Sequence, residues 1–159
     1  MSKVAIFPGS FDPFTQGHQQ IVNQGLRLFD TIIVAIGRNT QKHGLLDYES
    51  RKRLIEDIYL GEPRVSVEIY DSLTIEYARE KGATAMIRGI RSAIDFEYER
   101  SLASINARLD NDITTVMLLP TSDVADISSS VIRELHAFGH NTDEYMPKGF
   151  KLDNYTNKR

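Results

Sequence analysis

A chain of 159 residues without a cysteine is long enough to bury a core of its own, and it offers no disulfide framework, thiolate metal site or cysteine nucleophile. Its 41% hydrophobic and 26% charged residues are those of a globular domain, and a net charge of -3 lacks the basic excess of a broad nucleic-acid surface. No apolar run approaches the roughly 18 residues of a membrane span, and Met1-Ser2-Lys3 leads into a strand pattern without the features of a secretory signal, so a soluble, cytoplasmic protein with neither nucleic acid nor membrane as partner is expected.

Val4-Ala5-Ile6-Phe7 predicts a first strand, and Ile21, Val22, Leu26 and Phe29 mark one face of a helix that begins near His18 and ends by Asp30. Thr31 to Gly37 is a near-continuous β-branched run, as in a strand buried on both faces of a parallel sheet. After a polar loop from Arg38 to Gly44, Asp47 caps a helix carrying Leu54, Ile55 and Ile58, which Gly61 and Pro63 stop. Val65 to Tyr70 reads as a third strand; Ser72 is expected to cap a helix with Leu73, Ile75, Tyr77 and Ala78, closed by Gly82. Ala85-Met86-Ile87 is a fourth strand ending in Arg88-Gly89. Ile94, Tyr98, Leu102, Ile105 and Leu109 keep helical spacing, and Thr114 to Leu119 is a fifth strand. A last core helix carries Val131, Ile132, Leu135 and Phe138 and ends at Gly139; from about residue 140 a tail has at most a short helical turn and a polar finish. Strands alternating with helices of this length mean right-handed crossovers. The expected fold is a single α/β domain over 1–159 with a doubly wound, five-stranded parallel sheet.

Ligands of such folds bind beyond the carboxyl ends of the strands, and three stretches converge there. Gly9-Ser10-Phe11-Asp12-Pro13-Phe14-Thr15-Gln16-Gly17-His18 joins a strand to a helix start. Gly9 and Gly17 permit close backbone approach, and the unpaired N–H groups with the helix dipole favour an anion beside His18. Arg88-Gly89-Ile90-Arg91 sets two planar guanidinium groups on a strand-to-helix turn, a pattern suited to phosphate oxygens or to salt bridges with Asp95, Glu97 or Glu99. Ile127-Ser128-Ser129-Ser130-Val131-Ile132-Arg133 places three hydroxyls at another helix start, where one suffices as a cap. Lys42, alone in its loop, reads as a solvated charge, and His43, His136 and His140 lack metal-ligand spacing.

The first and third stretches resemble the signatures of the nucleotidylyltransferase superfamily, in its Thr-x-Gly-His form and its Ile-Ser-Ser-Ser-x-x-Arg element. Arg88-Gly89-Ile90-Arg91 followed by Asp95-Phe96-Glu97-Tyr98-Glu99 is similar to the phosphopantetheine adenylyltransferase family within it. That resemblance, from Met1 to about Gly149, implies a Rossmann-like nucleotidylyltransferase fold. It implies transfer of the adenylyl group of ATP to 4'-phosphopantetheine, giving dephospho-coenzyme A and pyrophosphate, with Mg2+ accompanying ATP and a homohexameric assembly subject to feedback by coenzyme A. By matching position, it assigns His18 and Lys42 to catalysis and Ser10, Lys42, Thr74 and Arg88 to the acceptor. ATP falls to Ser10, Phe11, His18, Gly89, Ile90, Arg91, Glu99, Val124, Ala125, Asp126, Ile127, Ser128, Ser129 and Ser130; no residue is assigned to a metal. Val124-Ala125-Asp126 and Ser72 depart from the family pattern, the former lacking its aromatic residues, so adenine is expected to be read by backbone hydrogen bonds. A nicotinate mononucleotide adenylyltransferase, or another superfamily member, shares the outer two motifs and is the alternative enzyme; an ATP-binding regulatory module is the alternative without turnover.

Overall fold

Two apolar clusters lie on opposite sides of one sheet, and the alternation of side chains along the central strands assigns residues to each. The computed structural model describes residues 1–156. Its strands are β1 (Val4–Gly9), β2 (Thr31–Gly37), β3 (Val65–Tyr70), β4 (Ala85–Gly89) and β5 (Thr114–Leu118), all parallel, in the order β3-β2-β1-β4-β5. Ala5, Phe7, Ile32, Val34 and Ile36 point to one face, where they meet Ile21 and Val22 of α1 (Gln16–Gly25), Leu54 and Ile55 of α2 (Tyr48–Ile58) and, much further along the chain, Ile132. Ile6, Ala35 and Met86 point to the other, against Ile75, Tyr77 and Ala78 of α3 (Thr74–Glu80). With a helix layer on each face, β1 and β2 have no solvated side, and this is why they read as continuous apolar runs.

Most boundaries follow from local chemistry. Asp47 caps α2, its carboxylate accepting from Ser50 N–H at 2.7 Å. Ser92 caps α4 (Ala93–Leu109) and Ser128 caps α5 (Ser129–Ala137) in the same way, and Gly139 takes a positive φ of 77° just beyond α5.

Four expectations are corrected. Ser72 does not cap α3: the helix begins at Thr74 behind an extended Leu73 with no side-chain cap. Helix α1 ends at Gly25, earlier than Asp30, although Leu26 and Phe29 still pack on the core from the turn that follows. In α5 only Ile132 is fully buried, while Val131 and Phe138 face outward. The segment after His140 is no appendage: two 3-10 turns, Asp143–Tyr145 and Leu152–Asn154, deliver Met146, Leu152 and Tyr155 into the larger core. Its final residues, 157–159, lie outside the described part. The helical spacing predicted for α4 holds, but Ile94, Tyr98, Ile105 and Leu109 are exposed at the surface, and its one buried residue is Glu99.

The feature that makes room for a ligand is the end of one ladder. β1 and β2 remain in register as far as Gly9↔Ile36, whereas β1 and β4 pair only at Ala5↔Ala85 and Ile6↔Met86. Beyond that point β1 and β4 part, at the place where the strand order reverses, and a crevice opens between Gly9 and Gly89.

Candidate active site

The loop from β1 to α1 is braced before it reaches the crevice. Asp12 is buried and accepts from Leu45 N–H and Leu46 N–H, both at 2.8 Å. Arg51 of α2 lies 3.5 Å from the same carboxylate and donates to Leu46 O at 2.9 Å and to Ser10 O at 3.1 Å. One buried ion pair thus ties Ser10 to the segment after Gly44. Phe11 adopts a left-handed φ of 48°, and its ring lies so close over Gly9 that a Cβ there would sit 2.8 Å from Cζ; only glycine leaves the ring that place.

Thr15 and His18 then start α1 with a reciprocal capping box. His18 N–H donates to Thr15 Oγ1 at 3.3 Å, and Thr15 N–H donates to His18 Nδ1 at 3.0 Å. A ring nitrogen that accepts a backbone N–H carries no proton, so the neutral imidazole holds its proton on Nε2. Burial, the charge of Arg91 and that of Arg88 depress the His18 pKa from 6.5 to about 4. The rings of Phe7, Phe11 and Phe14 stand 6.1, 5.0 and 5.4 Å from it, which accounts for the desolvation. His18 is therefore a neutral imidazole at physiological pH, offering Nε2–H as its one remaining donor.

Across the crevice, Arg88 donates from Nε and Nη2 to the two oxygens of Glu99, at 2.7 and 2.6 Å, and from Nη1 to Pro8 O at 2.9 Å. Arg91 lies 3.7 Å from Asp95, whose carboxylate also accepts from Arg91 N–H at 3.1 Å. The salt bridges the sequence allowed for are both present, and each leaves its arginine at the cleft.

The three serines at the start of α5 have separate duties. Ser128 accepts from Val131 N–H at 3.2 Å as the cap, Ser129 donates to Pro13 O at 2.7 Å, and Ser130 accepts from Arg133 Nη2 at 3.1 Å. Arg133 also donates to Asp12 O at 2.8 Å. Two of the three hydroxyls, with Arg133, thus join the second motif to the first.

These pieces enclose a cleft of about 320 Å³. It brings together Ser10, Phe11, His18, Arg88, Gly89, Arg91, Ile127, Ser128, Ser129 and Ser130 of the anticipated set, and adds Thr15 and Arg133. Its lining has three arginines, the free end of a helix and no carboxylate, an anion site set in a chain of net charge -3. Thr15 and Arg133 stand within the first and third motifs as quoted from the sequence. Asp12 and Arg51 were not, because their partners are 33 to 41 positions away.

The other anticipated residues stand outside that lining. Ile90 is buried, its N–H donating to Leu118 O at 2.9 Å. Glu99 lies behind Arg88. Val124 is buried and Asp126 exposed, with the carbonyls of Val124 and Ile127 facing Gly17. Thr74 is engaged with the Tyr70 hydroxyl at 2.8 Å. Lys42 is exposed and borders a second hollow of about 660 Å³ with His43, Tyr48 and His136.

The cytidylyltransferase-like family model matches residues 6–135. Phosphopantetheine adenylyltransferases similar to this chain include those of Porphyromonas gingivalis, 47% identical over 94% of this chain and 97% of the relative, and Phocaeicola vulgatus, 43% identical over 94% and 98%. That of Cytophaga hutchinsonii is 44% identical over 92% of this chain and 98% of its own. Among solved structures, a bifunctional NMN adenylyltransferase/ADP-ribose pyrophosphatase of Francisella tularensis, complexed with AMP and a manganese ion, superposes with a TM-score of 0.68. At 17% identity that likeness shows the fold alone; it covers 94% of this chain and 46% of the other.

Proposed function

We propose a division of labour within the cleft of a chain that belongs to the phosphopantetheine adenylyltransferase family. The enzyme is a nucleotidyltransferase of coenzyme A biosynthesis that transfers the adenylyl group of ATP to 4'-phosphopantetheine, releasing dephospho-coenzyme A and pyrophosphate. The observation that carries the assignment of roles is the convergence of both motif loops, His18, Arg88 and Arg91 on one cleft without a carboxylate in its lining.

In this reading the triphosphate lies across the N-terminus of α5 and the Ser10–Phe11 loop, with Arg91 and Ser128–Ser130 along it. Arg88 holds the phosphate of the acceptor. A phosphate oxygen of 4'-phosphopantetheine attacks the α-phosphorus of ATP; the new P–O bond forms as the bond to the β-phosphate bridging oxygen breaks, and pyrophosphate leaves with that electron pair. The nucleophile is ionised at neutral pH, so no side chain has to remove a proton. Catalysis rests on alignment and on stabilising the charge that gathers on the α-phosphate oxygens. The Nε2–H of His18 is the donor for those oxygens.

A magnesium ion fits this cleft only as part of the nucleotide. Among the described residues no cluster of His, Cys, Asp or Glu has metal-holding geometry, and the lining supplies hydroxyls and cations. Phosphate oxygens would be its ligands, as is common for this ion, and it would supply neutralisation of the triphosphate. Lys42, on its exposed loop, and the backbone at Thr74, whose hydroxyl is bonded to Tyr70, complete the acceptor contacts in this reading. For adenine, the carbonyls beside Gly17 are the available backbone groups, in keeping with the lack of aromatics at Val124-Ala125-Asp126.

A homohexamer is proposed with this activity, supported by the outward apolar face of α4, where Ile94 is 83% and Tyr98 63% exposed. We place the enzyme in the cytoplasm; among the described residues no helix is long and apolar enough to cross a membrane. The test is pyrophosphate release from ATP with 4'-phosphopantetheine, with nicotinate mononucleotide and without acceptor. Release with the first alone is expected; release with the second at equal efficiency, or with neither, overturns the assignment. Full activity in excess chelator would overturn the magnesium reading.

A further inference from the structure

Glu99 occupies a position from which it touches a functional side chain and not the cleft. Both its oxygens are taken by Arg88, through Nε at 2.7 Å and Nη2 at 2.6 Å, and the Glu99 side chain is 9% exposed where that of Arg88 is 29% exposed. It is the one buried residue of α4, a helix whose apolar side chains face outward. Burying a carboxylate there is unfavourable unless it is paired, so the pairing is the reason for its place. Pro8 O, at 2.9 Å from Nη1, supplies a third fixed point from the end of β1.

A guanidinium has five N–H donors in one plane. The contacts with Glu99 and Pro8 use three of them and fix that plane, which leaves one N–H on Nη1 and one on Nη2 for a ligand. We infer that Glu99 is a positioning residue for acceptor binding: it acts through Arg88, by holding the guanidinium as an oriented two-donor fork for a phosphate group. The pair also carries no net charge, so Arg88 recognises phosphate through direction more than through charge.

The inference rests on the reading that Arg88 binds the acceptor's phosphate, and a double-mutant cycle separates the two. In the full chain, Glu99→Gln keeps the shape of the side chain but retains one acceptor oxygen, so the bidentate lock is lost. The expected result is a fall of about 10- to 100-fold in kcat/KM for 4'-phosphopantetheine, the scale of a misaligned contact, with the KM for ATP within twofold of the parent. In an Arg88→Ala background, Glu99→Gln should then add less than twofold, because the group it acts through is gone. Glu99→Asp, which keeps the charge on a shorter stem, should lie between Gln and the parent, and it serves as the reporter if the Gln variant does not fold.

An unchanged or improved acceptor kcat/KM in Glu99→Gln overturns the inference, since charge relief would then outweigh orientation. So does a selective rise in ATP KM where Arg88→Ala spares ATP, or full additivity with Arg88→Ala. If instead Arg88→Ala spares the acceptor and raises ATP KM, while the cycle remains non-additive, the positioning role stands and the reading of Arg88's ligand fails.

Discussion

Replacing His18 by alanine separates two jobs that the structure gives to one ring. Its Nδ1 accepts from Thr15 N–H at 3.0 Å and closes the capping box of α1, while Nε2–H is the donor proposed for the α-phosphate. Loss of the cap bond costs about 1 kcal/mol, and in a domain of this size that lowers Tm by roughly 2–4 °C; the vacated space among Phe7, Phe11 and Phe14 adds to the fall. The capping role of the ring is invisible without the fold, because the bond runs from the backbone of the N-cap to the side chain three residues on. Loss of a donor to developing charge should lower kcat by at least ~100-fold, with little change in ATP affinity, since the contact matures in the transition state. His18→Asn makes the distinction: its Oδ1 stands where Nδ1 stood and can keep the cap, but it has no atom at the Nε2 position. The Asn variant should regain most of the midpoint and none of the rate. Scanning calorimetry, ATP titration calorimetry and pyrophosphate release measure the three quantities. Turnover at the parental rate in a folded His18→Ala enzyme refutes the donor role. Recovery of rate together with stability in His18→Asn shows that His18 acts only by starting the helix.

Arg88→Ala should raise acceptor KM by roughly 10- to 150-fold, the equivalent of about 1.5 to 3 kcal/mol for a charge-assisted contact, and steady-state kinetics with either substrate varied will show whether ATP is spared; an unchanged acceptor KM counts against the role. Gly44→Ala should destabilise by roughly 3 kcal/mol, because its Cβ would run into Arg51 Nη2 and lie 2.5 Å from Asp12 Oδ2; Gly61→Ala, with open space around the new Cβ, is the control, and equal urea midpoints for the two would refute the clamp. Because the His18 pKa is lowered from 6.5 to about 4, the unfolded chain binds a proton in that window that the folded chain refuses, so His18 withdraws stability as pH falls from 6.5 towards 4. Urea unfolding at pH 7 and pH 5 should therefore show the parent losing its advantage over His18→Asn at the lower pH; an advantage that grows would reverse the sign.

What was legible in the sequence is what local chemistry decides. Asp47 and Ser128 each cap a helix through an N–H three residues on, and the apolar runs of β1 and β2 reflect burial on two faces. Their alternation with helices is enough to fix a parallel sheet and the rim where the motifs meet. What was not legible depends on separation. Arg133 reaches Asp12 O across 121 positions and Arg88 reaches Pro8 O across 80, so no spacing rule finds either. Gln16 donates to Glu144 O and Met146 O at 2.8 and 2.9 Å, fastening the start of α1 to the C-terminal segment; a stretch with polar residues between Met146, Leu152 and Tyr155 shows no period from which its burial could be read. The face of α4 was ambiguous for a different reason: apolar residues at helical spacing look the same whether they meet a sheet or another copy of the chain.

The charges around the cleft suggest why a catalyst would pair two of its arginines with carboxylates. A unit charge about 6 Å from a phosphate contributes roughly 3 kcal/mol at an effective dielectric constant near 20, close to a 100-fold effect on affinity. Three unpaired guanidinium groups would hold substrate and product phosphates alike, and such uniform binding does nothing for turnover. With Glu99 on Arg88 and Asp95 on Arg91, the net attraction shrinks while the direction of the donors is kept. Arg133 is spent on Asp12 O and Ser130. Discrimination in favour of the transition state then falls to groups that gain as charge moves onto the α-phosphate, and a neutral imidazole fixed by its own helix start is such a group, since its donor is oriented in advance and adds no standing charge to retain pyrophosphate.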